Sequence, residues 1–292
     1  MLDLLRRSSI PHAVGTAARP VGRALERATR PFGLAEHPLR RDPARQRAGD
    51  LAFWAVVIGV VVWGAWQGLA YLDRTAALGQ FPHALWLGAV TFSRVLTLVV
   101  VSTLVWVPVG VRVGLDPRLA RYAQPVVQVL ASFPANFLFP FVTAALVALG
   151  LGLSAGAIVL MSLGAQWYVL FNTIAGAMAI PTDLREAVDA FAVTGWQRWR
   201  RLLLPGIFPA YVTGGITAAG GAWNASIVAE VVDFGRHHLV ATGLGAYIAQ
   251  ATTVGDFPKT LVGIIVMSAY VVGLNRLVWR RLYRLAETRY AL

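Results

Sequence analysis

An all-α membrane protein with six transmembrane helices is the architecture this sequence predicts, and three observations carry that expectation. Of its 292 residues 57% are hydrophobic and the mean hydropathy is +0.61, values that belong to multi-span membrane proteins. Six apolar runs can be read along the chain, each near or above the roughly 20 residues that cross about 30 Å of hydrocarbon. The arginines, finally, crowd into alternate segments between those runs, as the positive-inside rule requires.

Residues 1–50 form an Arg-rich tail ahead of the membrane domain, residues 51–292. No apolar run follows Arg6-Arg7, so the tail is not expected to act as a secretory or twin-arginine signal. Arg19, Arg23, Arg27 and Arg30 recur at helical spacing; a surface helix on anionic lipid and a plain polar linker both fit that pattern, and the linker is the simpler reading. The six spans are Leu51–Leu72, Arg94–Val113, Tyr122–Leu149, Ala155–Ile180, Ile207–Val232 and Leu261–Trp279. Phe81–Ser93 reads as a separate short helix on the outer surface. Pro125, Pro134 and Pro140 predict a kink or break in the third span, because proline removes a helix hydrogen bond and clashes with the preceding turn.

Orientation follows from charge. Ten arginines precede the first span; Arg112, Arg118 and Arg121 follow the second; Arg185, Arg198, Arg200 and Arg201 follow the fourth; Arg276, Arg280, Arg281, Arg284 and Arg289 close the chain. Six spans bring all these segments to one face, so both termini are expected in the cytoplasm. That topology and contact with anionic lipid account for the formal charge of +12 without a nucleic-acid partner. The absence of cysteine excludes disulfides and thiolate metal sites. Lys259, the only lysine, lies in Asp256-Phe257-Pro258-Lys259-Thr260, which is not a phosphate-binding P-loop. Any ATP this protein uses is therefore expected to be hydrolysed by a partner.

One segment facing the Arg-rich side shows helical design. In residues 182–205 Asp183 is placed as an N-cap, with Glu186 three residues on completing a capping box. Leu184, Ala187, Val188 and Phe191 recur on one side of a short amphipathic helix. Gly195 is expected to end it, Trp196–Arg201 to form a second basic turn, and Leu204-Pro205 to re-enter the membrane, proline being suited to a first helical turn.

This loop is similar to the EAA loop of permease subunits of ABC importers. Glu186, Ala187, Leu204 and Pro205 match that motif in register, Val188 replaces its second alanine, Ala192 stands where glycine is expected and Leu202 where isoleucine is expected. Ser132-Phe133-Pro134-Ala135-Asn136 and Gly221–Glu230 also resemble the family, above all its branch importing nitrate, sulfonates and taurine. The likeness runs from about Arg94 to the C-terminus. It implies a type I importer permease in a bacterial inner membrane, working with two ATPase subunits, an external solute-binding protein and a second permease, either a copy or a paralogue. It further implies that Asp183, Glu186, Ala187, Val188, Phe191, Ala192, Gly195, Leu204 and Pro205 form the coupling element seated on the ATPase. The loop Asp233–Pro258 would face the solute-binding protein.

Polar groups are costly in hydrocarbon, so those inside the spans are candidates for a translocation pathway. They are Asn136, Gln166, Asn172, Asn224 and Glu230, each also able to serve as a packing hydrogen bond between helices. Arg94, at the outer start of span two, reads as a side chain that snorkels to the interface. Gly152-Leu153-Ser154-Ala155-Gly156 matches the pattern of a nucleophile elbow but lacks the strand–turn–helix context that chemistry needs. His237-His238 has no third ligand. No cofactor, metal or covalent catalysis is expected. The alternative to an ATP-driven permease is a secondary transporter or channel, for which the elaborate loop has no role.

Overall fold

The computed structural model describes residues 43–235 and 237–290. The proposed features of the tail, Arg19–Arg30 included, lie outside the described residues. The chain divides into two units, residues 1–67 and 68–292. In the first, the described residues belong to helix α1 (Pro43–Arg74), which continues into the second. Phe53, Trp54, Val61, Trp63 and Trp66 of α1 are all exposed, and a helix that is apolar on every side suits lipid.

The second unit is helical apart from one hairpin. Helix α2 runs unbroken over Phe81–Leu115, and this corrects the expectation of a separate outer-surface helix at Phe81–Ser93. Arg94, the expected start of span two, and Thr91 before it are both buried and partnered, so they do not interrupt the helix. The third span is broken as predicted. Helices α3 (Pro117–Ser132) and α4 (Phe139–Ala148) meet at an angle of 81° across a turn of 3-10 helix at Ala135–Leu138. Pro134 makes the break: it biases Phe133 toward extended backbone, and Phe133 has φ −71° and ψ 131°. Pro125 sits inside α3 without ending it, and Pro140 occupies the first turn of α4.

Helix α5 (Leu153–Met178) is the axis of the unit and packs most extensively on α2 and α8 (Leu204–Ala229). Glycine permits these close crossings: a Cβ on Gly114 of α2 would lie 2.6 Å from the Ile174 carbonyl, and one on Gly214 of α8 would lie 2.7 Å from the Tyr168 carbonyl. Val95, Leu98, Leu160, Met161, Val169, Val212 and Trp223 fill the core between them.

After α8 comes an antiparallel hairpin, β1 (Val231–Phe234) with β2 (His237–Val240), in the register Val231 to Val240. Helix α9 (Leu244–Thr253) and the long α10 (Phe257–Leu274) follow. A π-helical turn at Asn275–Trp279 joins α10 to the basic helix α11 (Arg280–Arg289). Asp256 caps α10 by accepting from the Lys259 amide at 3.1 Å, and its bonding to Lys259 holds the carboxyl below the usual carboxylate range. Among the described residues, five helices are long and apolar enough to cross a membrane, and six crossings result when α3 and α4 count as one broken span.

Candidate functional site

The loop between α5 and α8 folds as a helix followed by a turn. Helix α6 covers Thr182–Ala190. It begins two residues earlier than the sequence suggests, because Pro181, with φ −55° and ψ 140°, is the N-cap residue. Asp183 is therefore not the cap, and no capping box with Glu186 forms. Asp183 lies instead in the first turn, where a carboxylate is favoured by the helix dipole.

The end of α6 also differs from expectation: Ala192 and not Gly195 terminates it. The Val193 amide donates to the Val188 carbonyl and the Ala192 amide to the Asp189 carbonyl, each at 3.0 Å. This is the paired bonding of a Schellman cap, with Ala192 at φ 49° in the left-handed position that glycine normally fills. Gly195, at φ 57°, opens the next short helix, α7 (Gly195–Arg198). An ion pair of 2.7 Å from Arg198 to Asp189 ties the two arms together; the charges are nine residues apart, a spacing at which no helical periodicity points to a contact.

What the loop displays is mixed. Asp183, Glu186, Ala187 and Ala192 are exposed, while Val188 packs back on the core. Phe191 is 82% exposed and Trp196 71%. Two bare aromatic side chains beside a row of small and acidic residues form a surface suited to a protein partner. Leu204 and Pro205 begin α8, with proline in its first turn.

Of the five intramembrane polar residues proposed for a pathway, the structure brings two together. Asn136, just past the Pro134 break, and Asn224 of α8 line one cavity of about 480 Å³, with Tyr168, Pro134, Gly221 and Ala225 among its other walls. Among the described residues no charged side chain lines it. The other three residues lie elsewhere. Gln166 accepts from the Trp106 indole at 2.9 Å, between α5 and α2. Asn172 donates to the Tyr168 carbonyl at 2.8 Å, within α5. Glu230 is fully buried just past the C-terminal end of α8 and pairs with Arg94 at 2.7 Å.

Arg94 consequently does not snorkel: it is 6% exposed, because Glu230 and the Ser154 carbonyl, the latter at 3.0 Å, satisfy its guanidinium inside the protein. The sequence carries a signal for this pair, one arginine and one glutamate each isolated within an apolar run. In the hairpin His238 and Asp233 pair at 2.6 Å. Among the described residues no cluster of three metal-ligating side chains occurs, and Ser154 lies at the start of α5, its carbonyl engaged by Arg94.

A bundle of apolar spans around one central helix, with an exposed helical loop on one face and an uncharged cavity among its helices, is the build of a membrane transport subunit. Residues 106–291 match the family described as the inner membrane component of binding-protein-dependent transport systems, and the chain belongs to that family. It is thus a permease of the ABC importer type. The chain is 25% identical over 201 residues to a putative ABC transporter permease of Methanocaldococcus jannaschii, covering 69% of this chain and 70% of that one. It is also 25% identical over 193 residues to the nitrate import permease of Leptolyngbya laminosa, covering 66% of each. A bicarbonate transport system permease of Synechococcus elongatus is 27% identical over 208 residues, which are 71% of this chain and 70% of the relative. This chain therefore spans about two thirds of the length of these relatives. Among solved structures, an inward-facing form of the MetNI methionine ABC transporter aligns with a TM-score of 0.54 and 24% identity, covering 68% of this chain and 95% of that one. That likeness carries the fold, a type I importer permease.

Proposed function

We propose that the chain forms half of a translocation pathway for a small solute and works by alternating access, driven by a separate ATPase. Loop 182–205 is the coupling element: α6 seats in a groove of the ATPase, with Glu186, Ala187, Phe191 and Ala192 at the contact and Val188 holding the helix to the core behind them. The observation that carries this reading is the exposed face of α6, with Phe191 bare at its end and the Asp189–Arg198 pair holding its second arm. An isolated transporter has no use for such a surface.

Two ATPase subunits, a second permease and an external solute-binding protein complete the assembly, in a bacterial inner membrane with both termini cytoplasmic. The loop Asp233–Pro258, which carries most of the hairpin and all of α9, faces the binding protein. The pathway runs past Asn136 and Asn224, with Gln166, Asn172 and Glu230 outside the cavity these two line. The solute belongs to the nitrate-, sulfonate- or taurine-like class. Carboxamides in an uncharged cavity support that reading, because they can donate to a small oxyanion without trapping it as a buried cation would.

The test is affinity purification of the tagged chain from its native membrane, beside Ala187→Arg. Ala187 is exposed on α6, so the variant should fold normally. The wild type should bring down an ATPase, and Ala187→Arg should lose it by about tenfold or more, as a misplaced charge at an interface costs at least about 1.4 kcal/mol. Intact protein without an ATPase in either preparation would move the ATP-independent transporter to first place.

A further inference from the structure

The buried carboxylate of Glu230 bonds to several separate parts of the molecule. Its Oε1 accepts from Arg94 at 2.7 Å and from the Thr91 hydroxyl at 2.8 Å, both on α2. Its Oε2 accepts from the Ala246 amide at 3.1 Å, in the first turn of α9. The Thr91 oxygen accepts in turn from the Leu244 amide at 2.8 Å, and Arg94 reaches back to the Ser154 carbonyl at the start of α5. The hairpin joins the same knot, since the Ala241 amide donates to the Glu230 carbonyl at 2.8 Å. The outer ends of α2, α5 and α8, the end of β2 and the start of α9 therefore converge on one residue.

Two features show that the knot is closely fitted. A Cβ on Gly243 would lie 2.2 Å from the Glu230 carboxylate, and one on Gly245 would lie 2.4 Å from the Ser226 carbonyl. The start of α9 can approach α8 this closely only without side chains at those positions. Two N-terminal amides of α9, those of Leu244 and Ala246, which have no partners within the helix, are satisfied by Thr91 and Glu230 in place of water.

Helix α8 links this knot to the other face. Its first residues, Leu204-Pro205, end the loop 182–205, and its 26 residues at about 1.5 Å each span roughly 39 Å. We infer that Thr91, Arg94 and Glu230 are positioning residues for transport. They fasten the outer hairpin and α9 rigidly to α8, so that motion at loop 182–205 reaches the outer surface through one helix. This inference rests on the reading of the loop as the ATPase-coupling element.

The experiment uses the full complex with its co-purifying ATPase, in lipid nanodiscs. The chain has no native cysteine, so Val254→Cys, exposed just after α9, carries the only fluorophore on this chain, and the partner subunits are prepared without cysteine. In otherwise wild-type protein the label should respond when ATP and vanadate trap the ATPase. Thr91→Val removes both bonds of the hydroxyl, and Gly245→Ala forces α9 away from α8. In each variant the response should fall by about fivefold or more, the scale of a modest coupling energy. Basal ATP hydrolysis should stay within about twofold. Thr91→Ser keeps the hydroxyl and should restore the response, which a loss of packing alone would not allow. A wild-type response with equal responses in Thr91→Val and Gly245→Ala overturns the inference. Absence of both a co-purifying ATPase and a wild-type response instead overturns the coupling reading beneath it.

Discussion

At Ala192 the backbone is left-handed, with φ 49°, a region that costs an L-residue roughly 1–2 kcal/mol. The Schellman bonds from Val193 and Ala192 hold it there, and Val193 and Val188 provide the apolar pair that commonly accompanies such a cap. This gives the glycine of the family motif a physical meaning: it is the residue that ends α6 without strain. Ala192→Gly should therefore stabilise the loop, by about 1 kcal/mol less the greater entropy that glycine gives the unfolded chain. Hydrogen exchange at the amides of Ala192 and Val193 would register the change as slower exchange in the variant. Faster exchange would mean that α6 is terminated by something other than this cap. The same logic explains why Asp183 misled the sequence reading. Both Pro181 and Asp183 are good helix starters, and a proline fixed near φ −55° wins by setting the entry angle before the carboxylate can cap.

Among the elements, α5 shows most clearly what the packing demands. Its neighbours α2 and α8 approach through glycines at which added carbon would meet backbone, Gly114 against Ile174 and Gly214 against Tyr168. Backbone cannot swing aside as a side chain can, so Gly214→Val should destabilise by about 1–3 kcal/mol or more through overpacking. Gly220, six residues along the same helix, has open space where a Cβ would stand. Gly220→Ala should be neutral or stabilising by up to about 1 kcal/mol, from helix propensity alone. Thermal unfolding of the two variants in one detergent would read the contrast, as a clear fall in the midpoint for Gly214→Val only. Equal midpoints would show that the α5–α8 crossing is looser than the structure has it. The glycine pairs Gly214-Gly215 and Gly220-Gly221 look alike in sequence. Which of them faces α5 depends on helix rotation, and the weak amphipathicity of a membrane span leaves that rotation unmarked.

At the scale of the whole molecule, composition and periodicity made the fold legible while the details of the sites depended on pairing. The spans, the break at Pro134 and the helical loop follow from rules that act along the chain: hydrocarbon thickness, proline geometry and helical periodicity. Arg94 and Glu230 are separated by 136 residues, and no local rule could join them, so Arg94 read as a snorkelling anchor and Glu230 as a pathway residue. Gln166 and Asn172 failed to join Asn136 and Asn224 for a related reason, since a polar residue in a span can face a cavity or a neighbouring helix with equal ease. Sidedness is a different matter, because it depends on charge alone and can be tested directly. Helix α8 crosses once between the loop and the hairpin, and α10 crosses back, so Phe191 and Arg284 should share one face while His238 and Val254 share the other. In the cysteine-free background, single Cys replacements at these four exposed positions can be probed in intact cells with a membrane-impermeant maleimide. His238→Cys and Val254→Cys should react at once, and Phe191→Cys and Arg284→Cys only after permeabilisation. Labelling of Arg284→Cys from outside would reverse the orientation drawn from the arginines. It would also remove α6 from the cytoplasmic face, where an ATPase has to dock.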